Sequence, residues 1–200
     1  MAPESSNMSK DNTDTFVVAI GASAGGLTAV VELLRALPEG LNAPIVIAIH
    51  SDPSSRLDTV LQAKINLPIV KLETDTKLEA GTVYVVPGAT HALFRKGSVR
   101  LSEEVSESGF RPSIDALFMT LAAEYQDKAV AVVLSGLLKD GMRGAQVVYD
   151  MGGRTIVQNP EDAIYESMPR SVINSDHPAA ILSATELGEW LCDLIGDADS

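Results

Sequence analysis

Cysteine, aromatic residues and positive charge are all scarce in this chain, and each shortage removes a class of protein. Cys192 is the only cysteine, so no internal disulfide can form and the stapled framework of a small secreted domain is excluded. Aromatic residues make up 4% of the sequence, which leaves Val, Ile, Leu and Ala to build a core. Against 27 Asp and Glu stand 15 Lys and Arg, a formal net charge of −12. That charge repels nucleic-acid phosphates and anionic lipid, so neither is an expected partner. Long apolar runs are missing too: none approaches the roughly 18 residues that argue for a membrane span. The opening residues, MAPESSNMSKDNTDT, lack the basic stretch followed by an apolar stretch that marks a secretory signal. A soluble, cytoplasmic protein without membrane insertion is the expectation.

What the chain does have is 46% hydrophobic residues in a length of 200, which suits one domain with a real core. Residues 1–14 are polar and read as a disordered tail, residues 15–196 as one folded domain, and residues 197–200 as an acidic tail. Within the domain, apolar strands alternate with segments of helical spacing. FVVAI (16–20) reads as a buried strand, and the helix from Gly25 to Leu37 puts Val30, Leu33, Leu34 and Leu37 on one face before Pro38 and Gly40 stop it. PIVIAIH (44–50) is a second buried strand ending on His50, and SSRLDTVLQAKI (54–65) suits a helix.

Residues 81–102 read as short strands punctuated by glycine, with Lys96-Gly97 as a hairpin turn, and 103–110 as an exposed loop. RPSIDALFMTLAAEY (111–125) is a helix with Ile114, Leu117, Phe118 and Leu121 on one stripe, and AVAVVLSG (129–136) is a buried strand. A turn, LLKDG, leads into a helix through Met151; GGRTIVQ (152–158) is a strand and MPRSVIN (168–174) a short helix. The last helix starts at Ser183, three residues before Glu186, as a capping box requires. Strands separated by helices demand crossover connections. The expected fold is therefore α/β, a mainly parallel, doubly wound sheet with helices on both faces plus a short antiparallel hairpin. Such sheets place ligands beyond the carboxyl ends of their strands.

The turn after the first strand, Gly21-Ala22-Ser23-Ala24-Gly25-Gly26, admits three readings. As a dinucleotide cradle it fails on spacing, because Ser23 stands where the middle glycine should approach the pyrophosphate. No Tyr-x-x-x-Lys pair supports a short-chain dehydrogenase either: four residues beyond Tyr84, Tyr125, Tyr149 and Tyr165 lie Gly88, Ala129, Gly153 and Pro169. As a plain junction, Ser23 would be the helix N-cap. As Gly-x-Ser-x-Gly, the turn matches a nucleophile elbow, in which small neighbours let a tight bend push the hydroxyl outward.

A serine hydroxyl needs a base, and the base needs an acceptor that holds its tautomer. His177 lies in a late polar stretch with no strand to aim it, and His91 reads as a surface or strand-pairing imidazole. His50 closes the second strand, on the same sheet edge as Ser23. Asp140, after AVAVVLSG, is the acceptor at a third strand end, with an N-cap or turn aspartate as its competing role. Asp115 and Asp162 fall within a helix and a later loop. The chain order Ser–His–Asp departs from the Ser–Asp–His order of α/β-hydrolases.

Six ordered blocks now carry a resemblance: AIGASAGG (19–26), VIAIH (46–50), YVVPG (84–88), RPSIDALF (111–118), VVLSGLLKDG (132–141) and MPRSVI (168–173). From about Phe16 to Asn174 the chain resembles the catalytic domain of CheB-type chemotaxis protein-glutamate methylesterases. The resemblance implies Ser23 as nucleophile, His50 as base and Asp140 as its orienting acid. It implies hydrolysis of glutamate γ-methyl esters on chemoreceptor helices with release of methanol, deamidation of receptor glutamines in some members, and no metal or organic cofactor. Backbone N–H groups of Ala24 and Leu137 are the expected oxyanion donors. Arg111, Met168 and Arg170 are expected to line the substrate cleft, although the two arginines read equally well as helix-start packing or ion-pair residues.

Departures from the family pattern surround the site. Ala24 replaces a common threonine, Ile49 a glutamine, and Leu137-Leu138 a Met-Gly pair, so a glycine is missing from the third turn. These changes keep a second reading open, a catalytically impaired regulatory or binding module, and a third, a methylesterase for a protein outside chemotaxis. The family's phosphoacceptor receiver domain is too large for residues 1–14, so the expectation is either no control by phosphorylation in cis or control by a separate regulatory protein.

Overall fold

A computed structural model describes residues 15–95, 97–104, 111–175 and 177–196. The tails expected at 1–14 and 197–200, Lys96, and most of the loop expected at 103–110 lie outside the described residues. Strand β1 (Val17–Ala22) is buried at every position and pairs in parallel with β2 (Ile45–Ile49) on one side and β8 (Ala129–Val133) on the other. With β3 (Ile69–Lys71), β5 (Val83–Val85), β9 (Arg154–Gln158) and β10 (Ala180–Leu182) they form a seven-stranded parallel sheet, order β10-β9-β8-β1-β2-β5-β3.

Alternation along β1 explains the layers. Val18, Ile20 and Ala22 face one core with helices α1 (Gly26–Arg35), α2 (Leu57–Gln62) and α6 (Ala184–Ile195). Val17 and Ala19 face the other, with α3 (Ile114–Tyr125), α4 (Met142–Asp150) and α5 (Ser167–Ile173). The parallel, three-layer expectation holds. The stripes foreseen on α1 and α3 are buried, and each such Leu, Ile or Phe contributes about 1.5–3 kcal/mol when fully removed from water. The capping box of α6 is present, with Ser183 and Glu186 exchanging both bonds.

Three strands escaped the sequence reading: β3, β10 and β4 (Thr76–Lys77). Two or three residues are too few to show a period of two, and their conformation comes from the neighbour they pair with. The expected hairpin, β6 (His91–Arg95) with β7 (Ser98–Ser102), is therefore two strands of a three-stranded antiparallel sheet, β4-β7-β6. No helix among the described residues is long and apolar enough to cross a membrane.

The chain leaves β1 for β2 and leaves β8 for β9, in opposite directions along the sheet. The carboxyl ends of β1 and β8 are thus the point where the winding reverses, the place at which an open α/β sheet leaves a crevice.

Candidate active site

Ser23 leaves β1 at this crevice. Its N–H donates to the Ser135 carbonyl at 3.0 Å, which ties the elbow to the end of β8. The N-cap of α1 is Gly25, at φ 71°, and no side chain caps it. Ser23 is therefore not the capping residue; its hydroxyl lies 3.2 Å from Nδ1 of His50. His50 follows β2, anchored by its own N–H to the Ala22 carbonyl at 3.1 Å. Its Nε2 lies 2.7 Å from Asp140 Oδ2. The tautomer that satisfies both contacts carries its proton on Nε2, donated to Asp140, and leaves the Nδ1 lone pair facing the serine hydroxyl.

Asp140 is buried, and its carboxylate also accepts the backbone N–H groups of Ile114, at 2.8 Å on Oδ2, and Asp115, at 2.9 Å on Oδ1. These are the first two residues of α3, so the carboxylate sits where the helix N-terminus favours negative charge. Asp140 thus combines the two roles the sequence left in competition. It caps a helix, but the helix is α3 rather than the α4 that follows it.

The structure brings Ser23, His50 and Asp140 together and leaves the other two histidines elsewhere. His91 is not at the surface: it is buried on β6, where Nδ1 accepts from the Ser113 N–H at 3.0 Å and Nε2 donates to the Glu104 carbonyl at 2.8 Å. His177 stacks on the Tyr149 ring, centroids 4.8 Å apart. Asp162 accepts from Gln158 Nε2 and the Ala184 N–H.

Gly136 explains why the β8 turn must be small. A Cβ there would come within 2.9 Å of the Ser23 Cβ and would overlap Met168 Sδ. Met168, expected in the cleft, is fully buried beneath that turn. Arg170 projects into solvent and pairs with Glu166 at 2.8 Å, one turn earlier on α5. Arg111 is half-buried just ahead of α3, before a cis Pro112. Around the crevice four large apolar side chains stand exposed: Leu137, Leu138, Ile164 and Tyr165.

Among the described residues, neither the Ala24 nor the Leu137 N–H meets a protein acceptor. Leu138, where the family pattern has glycine, adopts φ 73°. A left-handed leucine costs roughly 1–2 kcal/mol, partly offset in a glycine variant by the greater entropy of its unfolded chain. Leu138→Gly is therefore expected to raise Tm by about 2–4 °C, the shift that about 1 kcal/mol produces in a domain of this size. A lower Tm in a thermal melt would show that packing by the leucine outweighs its strain.

Sequence reasoning passed over Ser135 and named Asp115 only as an alternative acceptor for the imidazole. Ser135, fully buried, donates through Oγ to the Ala24 carbonyl at 2.9 Å and accepts the Tyr165 N–H at 3.0 Å, pinning the elbow to the loop after β9. Asp115 accepts the N–H groups of Gly141, at 3.0 Å, and Gly144, at 2.8 Å.

Comparison with known proteins agrees with this fold. The crystal structure of the Thermotoga maritima CheB methylesterase catalytic domain superposes with a TM-score of 0.86 at 30% identity, covering 90% of this chain and 99% of that one. A Trichodesmium erythraeum protein-glutamate methylesterase/protein-glutamine glutaminase is 32% identical, with 90% of this chain and 53% of the relative covered. The Myxococcus xanthus protein-glutamate methylesterase FrzG is also 32% identical, over 94% of this chain and 58% of its own length. The chain thus spans little more than half of those two relatives. A Leptospira interrogans relative, named provisionally for the same pair of activities, is 36% identical and is covered over 91% of its length, with 86% of this chain. The family model described as CheB methylesterase matches residues 18–191, and the chain belongs to the CheB methylesterase family.

Proposed function

We propose that this chain is a cytoplasmic serine hydrolase that removes methyl groups from glutamate γ-methyl esters of chemoreceptors during sensory adaptation. The observation that carries the reading is the continuous relay from Ser23 Oγ through His50 to Asp140, with contacts of 3.2 and 2.7 Å. Ser23 Oγ attacks the ester carbonyl carbon while its proton passes to Nδ1 of His50. The carbonyl oxygen becomes an oxyanion, held by the Ala24 and Leu137 N–H groups, whose lack of protein acceptors among the described residues supports that role. Collapse breaks the C–OCH3 bond, and His50 returns its proton to the leaving methoxide, so methanol departs.

Water then attacks the acyl-serine with His50 as base. Ser23 recovers its proton and a glutamate carboxylate is released. Throughout, Asp140 holds the ring and stabilises the imidazolium. A glutamine side chain entering the same steps would release ammonia. The partner is a methylated receptor helix.

The test is release of methanol from a methyl-labelled chemoreceptor. Turnover well above the uncatalysed rate supports the reading. Labelling of Ser23 by a serine-directed phosphonate without any methanol would move the activity to another methylated protein. Failure of both, in a folded protein, would favour the binding module, the reading that the strained Leu138 and the altered turn residues keep alive.

A further inference from the structure

Asp115 and Asp140 hold each other's helices. The Asp140 carboxylate lies on the N-terminus of α3, and the Asp115 carboxylate lies on the N-terminus of α4. The Gly141 N–H that Asp115 accepts belongs to the peptide unit directly after Asp140, so this bond fixes the backbone from which the Asp140 side chain projects. The Asp115 N–H in turn fixes Oδ1, the Asp140 oxygen that His50 does not use. Gly141, at φ 100°, makes the bend between the two. Ion pairing does not account for the arrangement: both partners are acidic, and each satisfies backbone N–H groups of the other's helix.

Resting on the serine-hydrolase reading above, we infer that Asp115 is a positioning residue of this site, clamping the Asp140–Gly141 peptide so that the Asp140 carboxylate stays aimed at Nε2 of His50. Asp140 is otherwise carried by an exposed turn: Leu137, Leu138 and Lys139 are all open to solvent, and Leu138 is in a strained conformation. Without the clamp, that turn is free to relax and carry the carboxylate with it. A displacement of about 1 Å at such a point is enough for a rate loss of order 10²-fold. The charged groups that bear on Asp115 are Asp140, from the turn, and Arg143, from α4. Burial, the largest influence, pushes its carboxyl above the ordinary aspartate value; the Gly144 N–H pulls it back.

Asp115→Ala removes the clamp, whereas Asp115→Asn retains an oxygen able to accept both N–H groups and should fold in the same way. The full chain and both variants are to be compared by the rate of labelling with a serine-directed phosphonate at saturating reagent, and by the low-field proton NMR signal of His50 Nε2–H. The expected result for Asp115→Ala is a loss of about 10- to 100-fold in the saturating rate, an unchanged half-saturation concentration, and a displaced or lost Nε2–H signal. Asp115→Asn is expected to recover the signal and most of the rate. A folded Asp115→Ala with wild-type rate and signal overturns the inference. So does equal loss in both variants, in proportion to their unfolded fraction. If the wild type itself is not labelled, the hydrolase reading fails, and the Nε2–H signal alone still decides whether Asp115 positions the pair.

Discussion

Ser23→Ala is expected to lower methanol release by at least about 10³-fold, with little change in KM. Losses of that order follow removal of a triad nucleophile, because the histidine and the oxyanion donors are left with no attacking atom to serve. The fold should survive. Ser23 is half-buried, its hydroxyl faces the crevice, and its structural contacts run through the main chain: N–H to the Ser135 carbonyl, and carbonyl to the Gly26 N–H at 2.9 Å. The measurement is turnover beside intact-mass labelling by a phosphonate. One adduct on the wild type and none on the variant is the expected pattern. An unchanged rate in the variant would rule out Ser23 as nucleophile.

Asp140→Asn is expected to cost about 10⁴-fold in kcat by analogy with the same change in other triads, and to weaken the fold as well. All the groups facing this side chain are donors: Ile114 N–H, Asp115 N–H and His50 Nε2–H. An asparagine has one oxygen for three donors. If its NH2 faces His50, the ring must take the other tautomer and Nδ1 can no longer accept the serine proton. If its NH2 turns to Asp115, a donor meets a donor, at a cost of about 1–3 kcal/mol for the N–H left unpaired. Steady-state kinetics and denaturant unfolding of the same variant separate the two terms. Turnover within tenfold of wild type would mean that Asp140 does not set the tautomer.

The elbow was legible in the sequence because its signals are local. Gly21 to Gly26 lie between an apolar strand and a helix with one apolar face, and those two patterns already determine where the turn must be. His50 and Asp140 were legible for a related reason: each follows a buried apolar run, and parallel topology sends all such ends to one edge. The turn around Asp140 did not reveal its second contact, since the helix whose N–H groups it accepts lies some 25 residues upstream, starting at Ile114. The burial of Met168 was not legible, because proximity to a family block says nothing about which way a side chain points; its sulfur fills the space that Gly136 leaves open.

By itself, then, the sequence determined the strand and helix alternation, the parallel three-layer fold, and the three chain positions from which a Ser–His–Asp site could be drawn. Only the tertiary structure decided that the three side chains meet, that His50 turns Nδ1 to the serine, and that Ser135 and Asp115 hold the turns in place. Periodicity is a property of neighbouring residues and is visible in a one-dimensional string. Hydrogen bonds such as Asp115 to Gly141 join distant segments, and they exist only once buried faces have packed and fixed the distance between two helix ends.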